Sequence, residues 1–247
     1  MALPLSQHPA ESERNGSAWQ AKPLLRETYA DFYHRIAALV DLTRQGRIVE
    51  IGSGIGNLRA HLPTAVCTDL FANPWIDVAC DGYELPFRAG TVSHLILVDV
   101  LHHLETPGAF LQEAQRVLSP GGRLILLEPY VSWFSYPLYG LLHHEPVAWG
   151  KPLDRSRRPP SVRRYYAAQG NATRLFFHQE QPDLLAGWTV FHREAFATFA
   201  YLLSGGFSKP ALAPVAWLPC LRRWDRWCSR WPRLLAARCL VGLCIAR

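Results

Sequence analysis

Arg47-Ile48-Val49-Glu50-Ile51-Gly52-Ser53-Gly54-Ile55-Gly56-Asn57 is the stretch from which the fold can be read. Its apolar, largely β-branched opening runs into three glycines at alternate positions, and Leu58-Arg59-Ala60-His61-Leu62 can start a helix behind them. The order is strand, tight turn, helix N-terminus. Glycine is needed in such a turn because the backbone must take positive φ and a ligand must come close with no Cβ in the way. The turn is therefore a small-molecule site.

Charge narrows the choice of molecule. A dinucleotide fingerprint is spaced G-x-G-x-x-G and offers bare N–H groups to an anionic pyrophosphate. Here the spacing is G-x-G-x-G, and Glu50 stands two residues before Gly52. A carboxylate repels a pyrophosphate and attracts a ligand that carries an ammonium and a sulfonium, as S-adenosylmethionine does. On these residues the segment resembles the class I S-adenosylmethionine-dependent methyltransferases, whose first motif is an acid, any residue, then G-x-G-x-G. The resemblance implies that Glu50, Gly52, Ser53, Gly54 and Gly56 surround S-adenosyl-L-methionine. It also implies an α/β fold with a doubly wound, Rossmann-like sheet of seven strands, mostly parallel, whose last strand is antiparallel.

The motifs that follow keep the family's order. Ala65 to Leu70 reads as a second strand, and Asp69, 19 residues past Glu50, can accept both ribose hydroxyls of an adenosine, with Leu70 beside it. The alternative is an Asp that merely caps a turn. Trp75–Ala79 reads as a short third strand. Cys80-Asp81-Gly82-Tyr83-Glu84-Leu85-Pro86-Phe87 then looks like the D-x-x-x-L-P-F stretch of the type 11-like, small-molecule members. That likeness implies that Asp81 takes the adenine amino group and that the Gly82 N–H faces the ring. Val92–Val98 is a near-continuous apolar run, as in a strand buried on both faces, and ends in Asp99-Val100-Leu101-His102-His103-Leu104, similar to the family's V-L-H-H stretch. Asp99 joins the expected cofactor residues. A helix over Pro107–Leu118, a Pro-Gly-Gly turn and a fifth strand over Arg123–Glu128 complete the resemblance, which spans residues 46–130.

Outside that span the reading rests on pattern. Residues 1–20 are polar and aperiodic and are expected to form a flexible N-terminal arm, with one methyltransferase domain over 21–247. Leu24–Leu42 has helical periodicity and either covers the cofactor or packs on the sheet edge. Residues 129–182 form a lid and acceptor insertion, in which Trp133, Phe134 and Tyr136 are expected to wall the acceptor pocket, because ligands of open α/β sheets sit beyond the carboxyl ends of the strands. The five arginines between Arg155 and Arg164 read as a solvated loop or an anion trap. Residues 183–204 are helical in pattern, Leu212–Val215 is the expected sixth strand and Cys239–Ala246 the seventh. Between these strands, an insertion over 216–233 places Cys220, Leu221, Trp224, Cys228 and Trp231 on one helical face and Arg222, Arg223, Arg226 and Arg230 on the other.

Composition bounds the partners. Residues 1–150 carry 10 Lys/Arg against 15 Asp/Glu, and residues 151–247 carry 16 against 5, which together give the net charge of +6. The second half should meet something anionic or neutralise the first. The six cysteines show no metal-ligand spacing, so no metal is expected. No leader or membrane span is evident, and the expected location is cytoplasmic, with peripheral attachment to the inner face of a membrane through the Arg/Trp helix as an extension of it. Methyl transfer needs positioning more than chemistry, and a base helps when the acceptor is a hydroxyl. His103 is the candidate catalytic residue, beside the reading that it is structural, with His143 and His144 in the lid as lesser ones. The acceptor is expected to be a hydrophobic small molecule or lipid-linked compound. Alternatives are an RNA methyltransferase or a non-catalytic cofactor-binding scaffold. DNA is not expected as a partner, and an NAD-dependent oxidoreductase is disfavoured by Glu50 and the glycine spacing.

Overall fold

The computed structural model describes residues 8–142, 147, 149–150, 152–160 and 166–246. At its centre lies a seven-stranded sheet: β1 (Arg47–Ile51), β2 (Val66–Asp69), β3 (Val78–Ala79), β4 (Val92–Val98), β5 (Leu118–Pro129), β6 (Trp188–Phe196) and β7 (Arg238–Ile245). Their order is β3-β2-β1-β4-β5-β7-β6. The first five are parallel, and β7 enters antiparallel between β5 and β6. This is the expected Rossmann-like sheet with its last strand reversed.

Strand periodicity explains why both faces are covered. Side chains alternate across a strand, so an unbroken apolar run must bury both parities. Val49, Ile51, Leu95, Leu97, Leu124 and Leu126 join Phe110 and Leu111 of helix α3 (Pro107–Val117) in one core. Ile48, Ile96, Ile125 and Leu127 join Tyr29, Phe32, Tyr33 and Ile36 of helix α2 (Pro23–Ala37) in the other. Ahead of α2 lies α1 (His8–Ala21), and the remaining helices are α4 (Ser135–Leu142), α5 (Phe199–Ser204), α6 (Leu218–Cys228) and α7 (Pro232–Leu235).

Four expectations need correction. Residues 8–21, expected as a loose arm, are helical, and Trp19 stacks on Phe207 and meets the edge of Tyr29, a tertiary anchor that polarity along the chain does not reveal. Behind the glycine turn there is only a single 3₁₀ turn, Asn57–Ala60, in place of a longer helix. Residues 183–204, expected as helix, contain β6. Leu184, Trp188, Phe191, Ala195, Phe199 and Leu202 do recur at helical steps, but the stretch is rich in aromatic and β-branched residues and pairs with the full length of β7. A bulge between Val190 and His192 lays Phe191 over Gly242, where any Cβ would meet its ring. Finally, Leu212–Val215 lies outside the sheet, in the connection between α5 and α6, where Pro210 and Pro214 suit a loop.

Candidate active site

The three glycines of the turn are all left-handed, with φ of 67° at Gly52, 54° at Gly54 and 68° at Gly56. A side chain on Gly52 would strike Val100, and one on Gly56 would strike the Trp75 carbonyl, whereas Gly54 has nothing within 4 Å of its missing Cβ. Gly54 is thus bare on the side that a ligand can use. The turn is fixed from behind: Ser53 N–H donates to Thr68 O at 2.8 Å, Ser53 Oγ receives Thr68 N–H at 3.1 Å, and Gly54 N–H donates to Asp69 Oδ2 at 2.8 Å.

Because β1 to β4 run parallel, the acids near their carboxyl ends line up along one sheet edge: Glu50, Asp69, Asp81 and Asp99. Glu50 is buried, and desolvation, reinforced by Asp69 and only partly offset by Ser53, Cys67 and Arg59, pushes its carboxyl up to about 8. Asp69 holds the glycine turn through one oxygen, and its other oxygen accepts Phe71 N–H at 3.4 Å. Leu70 beside it is exposed. Asp81 accepts Tyr83 N–H at 2.9 Å and bridges to Glu84, and Gly82 sits against Ile51, Leu104 and Phe110.

A cavity of about 850 Å³ opens at this edge. Of the expected residues, Glu50, Gly52, Ser53, Gly54, Asp99 and His103 line it, and Gly56, Asp69, Leu70, Asp81 and Gly82 do not. Its far wall is apolar and aromatic, including Phe134, Leu138 and Tyr139 from the start of the lid and Phe199, Leu202 and Phe207 from the α5 region. Of the three aromatic residues expected to wall an acceptor pocket, Phe134 alone lines this cavity: Trp133 is 81% exposed, and Tyr136 leans edge-on toward Trp149. His143, His144, Arg163 and Arg164 lie outside the described residues.

Two arrangements in the cavity wall were not anticipated. Asp99, at φ 60°, forms an ion pair with Arg238, the first residue of β7, which is 3% exposed. Tyr29 OH donates to the same carboxylate at 3.2 Å, and the Arg238 guanidinium lies 4.5 Å from the centre of the Tyr201 ring. Burial raises the phenols of Tyr29, Tyr33, Tyr139 and Tyr201 above their ordinary range, so they are hydrogen-bond donors here and not bases. A charged residue opening an otherwise apolar strand was the signal for Arg238.

The second arrangement is a carboxylate–imidazole pair. Glu128, fully buried near the end of β5, accepts Val100 N–H at 2.8 Å and Leu101 N–H at 2.6 Å on one oxygen, and its other oxygen lies 2.7 Å from His102 Nδ1. An acceptor on Nδ1 fixes the tautomer of neutral His102, leaving Nε2 as the basic nitrogen. His102 and His103 both line the cavity with ring centres 4.1 Å apart, and His103 Nδ1 lies 3.0 Å from the Tyr166 carbonyl oxygen. His102 follows the fourth strand and Glu128 lies near the end of the fifth, neighbouring strands in the sheet, and no local pattern in the sequence marks the two as a pair.

Comparison with known proteins agrees with this geometry. Residues 49–126 match the family described as "Methyltransferase domain". A curated relative from Mus musculus, "Probable tRNA methyltransferase 9B", is 26% identical over 120 residues, which cover 42% of this chain and 26% of that protein. The matched region thus spans about a quarter of the relative's length. A Thermotoga maritima protein described as "SAM-dependent methyltransferase, possible histamine N-methyltransferase" superposes with a TM-score of 0.54 at 14% identity, covering 97% of this chain and 100% of that one. The Burkholderia thailandensis 1,6-didemethyltoxoflavin-N1-methyltransferase, solved with its acceptor and S-adenosylhomocysteine, gives 0.50 at 16% identity, covering 98% and 87%. These two likenesses show the fold.

Two consequences are measurable without any ligand. Asn tolerates the left-handed backbone at position 99, so Asp99→Asn removes the charge alone and leaves Arg238 buried without its counter-ion. Urea unfolding should register a loss of roughly 3–5 kcal/mol, and adding Arg238→Met should restore part of it. An additive double variant would mean that the pair is not coupled. For Glu50, the folded protein holds a proton that the unfolded chain releases between about pH 4.5 and 8. Stability should therefore fall as pH rises through that window, by up to about 1.4 kcal/mol per unit, and level off above it. Glu50→Gln should flatten the slope, and an unchanged slope would place its origin elsewhere.

Proposed function

We propose that this chain transfers a methyl group from S-adenosylmethionine to a hydrophobic small-molecule or lipid-linked acceptor, a reading supported by the match of residues 49–126 to the methyltransferase domain family and by the seven-stranded sheet around them. The carrying observation is the cavity, which begins at the bare face of Gly54 and the buried Glu50 and ends in an apolar, aromatic wall. The cofactor supplies a methyl group already activated on a sulfonium. The rest is positioning, exclusion of water and handling of one proton.

Glu50 faces the positive end of the cofactor, a ligand that repays the cost of ionising a carboxyl held near 8. Gly52, Ser53 and Gly54 present backbone with no side chain in the way, and Gly56 lets the turn close beneath Trp75. Asp69, already oriented by the Gly54 N–H, would receive the ribose with Leu70 beside it, and Asp81 and Gly82, which like them lie outside the cavity lining, would hold the adenine. Asp99 stays with Arg238 and shapes the floor between cofactor and acceptor. For a hydroxyl or amine acceptor, His102 takes the proton, because Glu128 both orients its ring and stabilises the imidazolium that forms. His103 lines the pocket beside it.

RNA is the second reading, favoured by the balance of 16 basic to 5 acidic residues over 151–247. Methyl-labelled S-adenosylmethionine incubated with the protein and a fractionated cell extract separates the two. Label in the organic phase is expected, and label recovered in RNA would overturn the acceptor class. With the product identified, His102→Gln should lower kcat by about 10²–10⁴-fold with cofactor affinity unchanged, and full activity would remove His102 from the chemistry. Cofactor binding has its own signature: at pH 7, Glu50 is protonated in the free protein and ionised beside a cation, so calorimetry in buffers of different ionisation enthalpy should show proton release. The release should vanish in Glu50→Gln. Buffer-independent heat in the unaltered protein would contradict the assignment.

A further inference from the structure

The outward face of α6 keeps Trp224 and Trp231 from the apolar side that the sequence pattern picks out, but gains Trp217 and Trp227 and turns Cys228 inward. Leu218 and Cys228 are buried, Asp225 receives the Phe199 N–H at 2.6 Å, and Arg222 is taken up by Asp31 at 2.8 Å. Outward instead stand Trp217, Trp224, Trp227 and Trp231, each 43–57% exposed and spaced by steps of seven, three and four residues. Their spacing makes them one stripe. The rings of Trp224 and Trp227 are 5.0 Å apart and those of Trp227 and Trp231 are 4.7 Å apart. Immediately before the last three come Arg223, Arg226 and Arg230, all exposed.

This stripe is continuous with the cavity. The Trp224 ring lies 6.3 Å from that of Phe199, which lies 5.2 Å from Phe134, and both phenylalanines line the cavity. We infer that the stripe docks on an anionic membrane surface, with the indoles at headgroup depth and the arginines on lipid phosphates, and that the apolar acceptor reaches the cavity along the Trp224–Phe199–Phe134 path. The acceptor route rests on the reading given under Proposed function, but the docking does not.

Charge selects this occupant. Asp225 is the only acid between residues 215 and 235, and its carboxylate is turned inward onto α5. A second copy of the chain docked stripe to stripe about a two-fold axis would bring arginine against arginine, with no acid of this segment turned outward to separate them. Phosphate headgroups supply the missing charge, while the indoles suit the boundary between headgroups and acyl chains. Stacking on RNA bases needs open ring faces, and these rings are packed on one another, with Trp227 and Trp231 inclined at 74°.

Sedimentation of the full chain with vesicles tests the inference. It should bind phosphatidylcholine vesicles containing phosphatidylglycerol, bind pure phosphatidylcholine weakly, and be released by salt. R223E/R226E/R230E should weaken partitioning by at least on the order of a hundredfold, since each arginine near an anionic leaflet contributes about 1 kcal/mol and reversal does more than neutralise. These side chains are exposed, so calorimetric binding of S-adenosylmethionine should be unchanged in the same variant, which separates failure of docking from failure of the methyltransferase reading. Quenching of indole fluorescence by lipids brominated on the acyl chain should be lost in Trp224→Ala/Trp227→Ala relative to the unaltered protein. Several results would overturn the docking: no sedimentation with anionic vesicles at low salt, equal binding by the triple variant, a solution dimer broken by Trp227→Ala, or arginine-dependent binding of an RNA oligonucleotide tighter than that of vesicles.

Discussion

A guanidinium removed from water is the constraint around which the site is assembled. Arg238 opens β7 opposite Pro129 of β5 and Phe196 of β6, and its charge is met by Asp99, just past the end of β4. Tyr29 of α2 hydrogen-bonds the same carboxylate, and Tyr201 of α5 offers its ring to the guanidinium. An unpaired charge in that position would cost several kcal/mol, so these elements are tied to one arrangement. The sheet edge, both covering helices and the cavity floor therefore share a single electrostatic joint.

The same edge holds two buried glutamates whose surroundings give them opposite characters. Glu128 meets two backbone N–H groups and an imidazole, a set of donors that satisfies a carboxylate completely. Glu50 has little more than the Cys67 thiol at 3.7 Å and the influence of Ser53, so burial dominates and its proton is retained near neutrality. One acid serves as a fixed part of the frame. The other keeps its proton because little beside it can stabilise a charge.

Much of this was legible in the chain. The near-continuous apolar run from Val92 to Val98, the glycine spacing after Glu50 and the Pro-Gly-Gly turn before Arg123 pointed to the parallel core, because a strand buried on both faces and a turn at positive φ each admit few residue types. What was not legible depends on contacts between distant segments. Glu128 reads as an ordinary strand terminus until His102, 26 residues earlier, is folded against it, and Arg238 reads as the polar start of a strand until Asp99, 139 residues away, is opposite. The β6 segment was misread because aromatic residues at helical steps also satisfy an edge strand with a bulge. The outward stripe on α6 was legible only in part: periodicity put Trp224 and Trp231 on one face, but could not show that Trp217 and Trp227 would join them while Cys228 turned inward.

The place of β7 has a consequence for synthesis. Among the described residues β6 hydrogen-bonds to no strand but β7, and β7 is inserted between β6 and a strand made some 110 residues earlier. While the ribosome is still producing residues 197–237, β6 has no neighbour to join, and its bonding edges stay open to wrong partners. The ion pair that fixes the cavity also cannot form until residue 238 has emerged. Before that point β1–β5 can pair among themselves, while β6 is a strand without its neighbour and Asp99 lacks its counter-ion, so wrong pairing at open strand edges competes with folding at this stage.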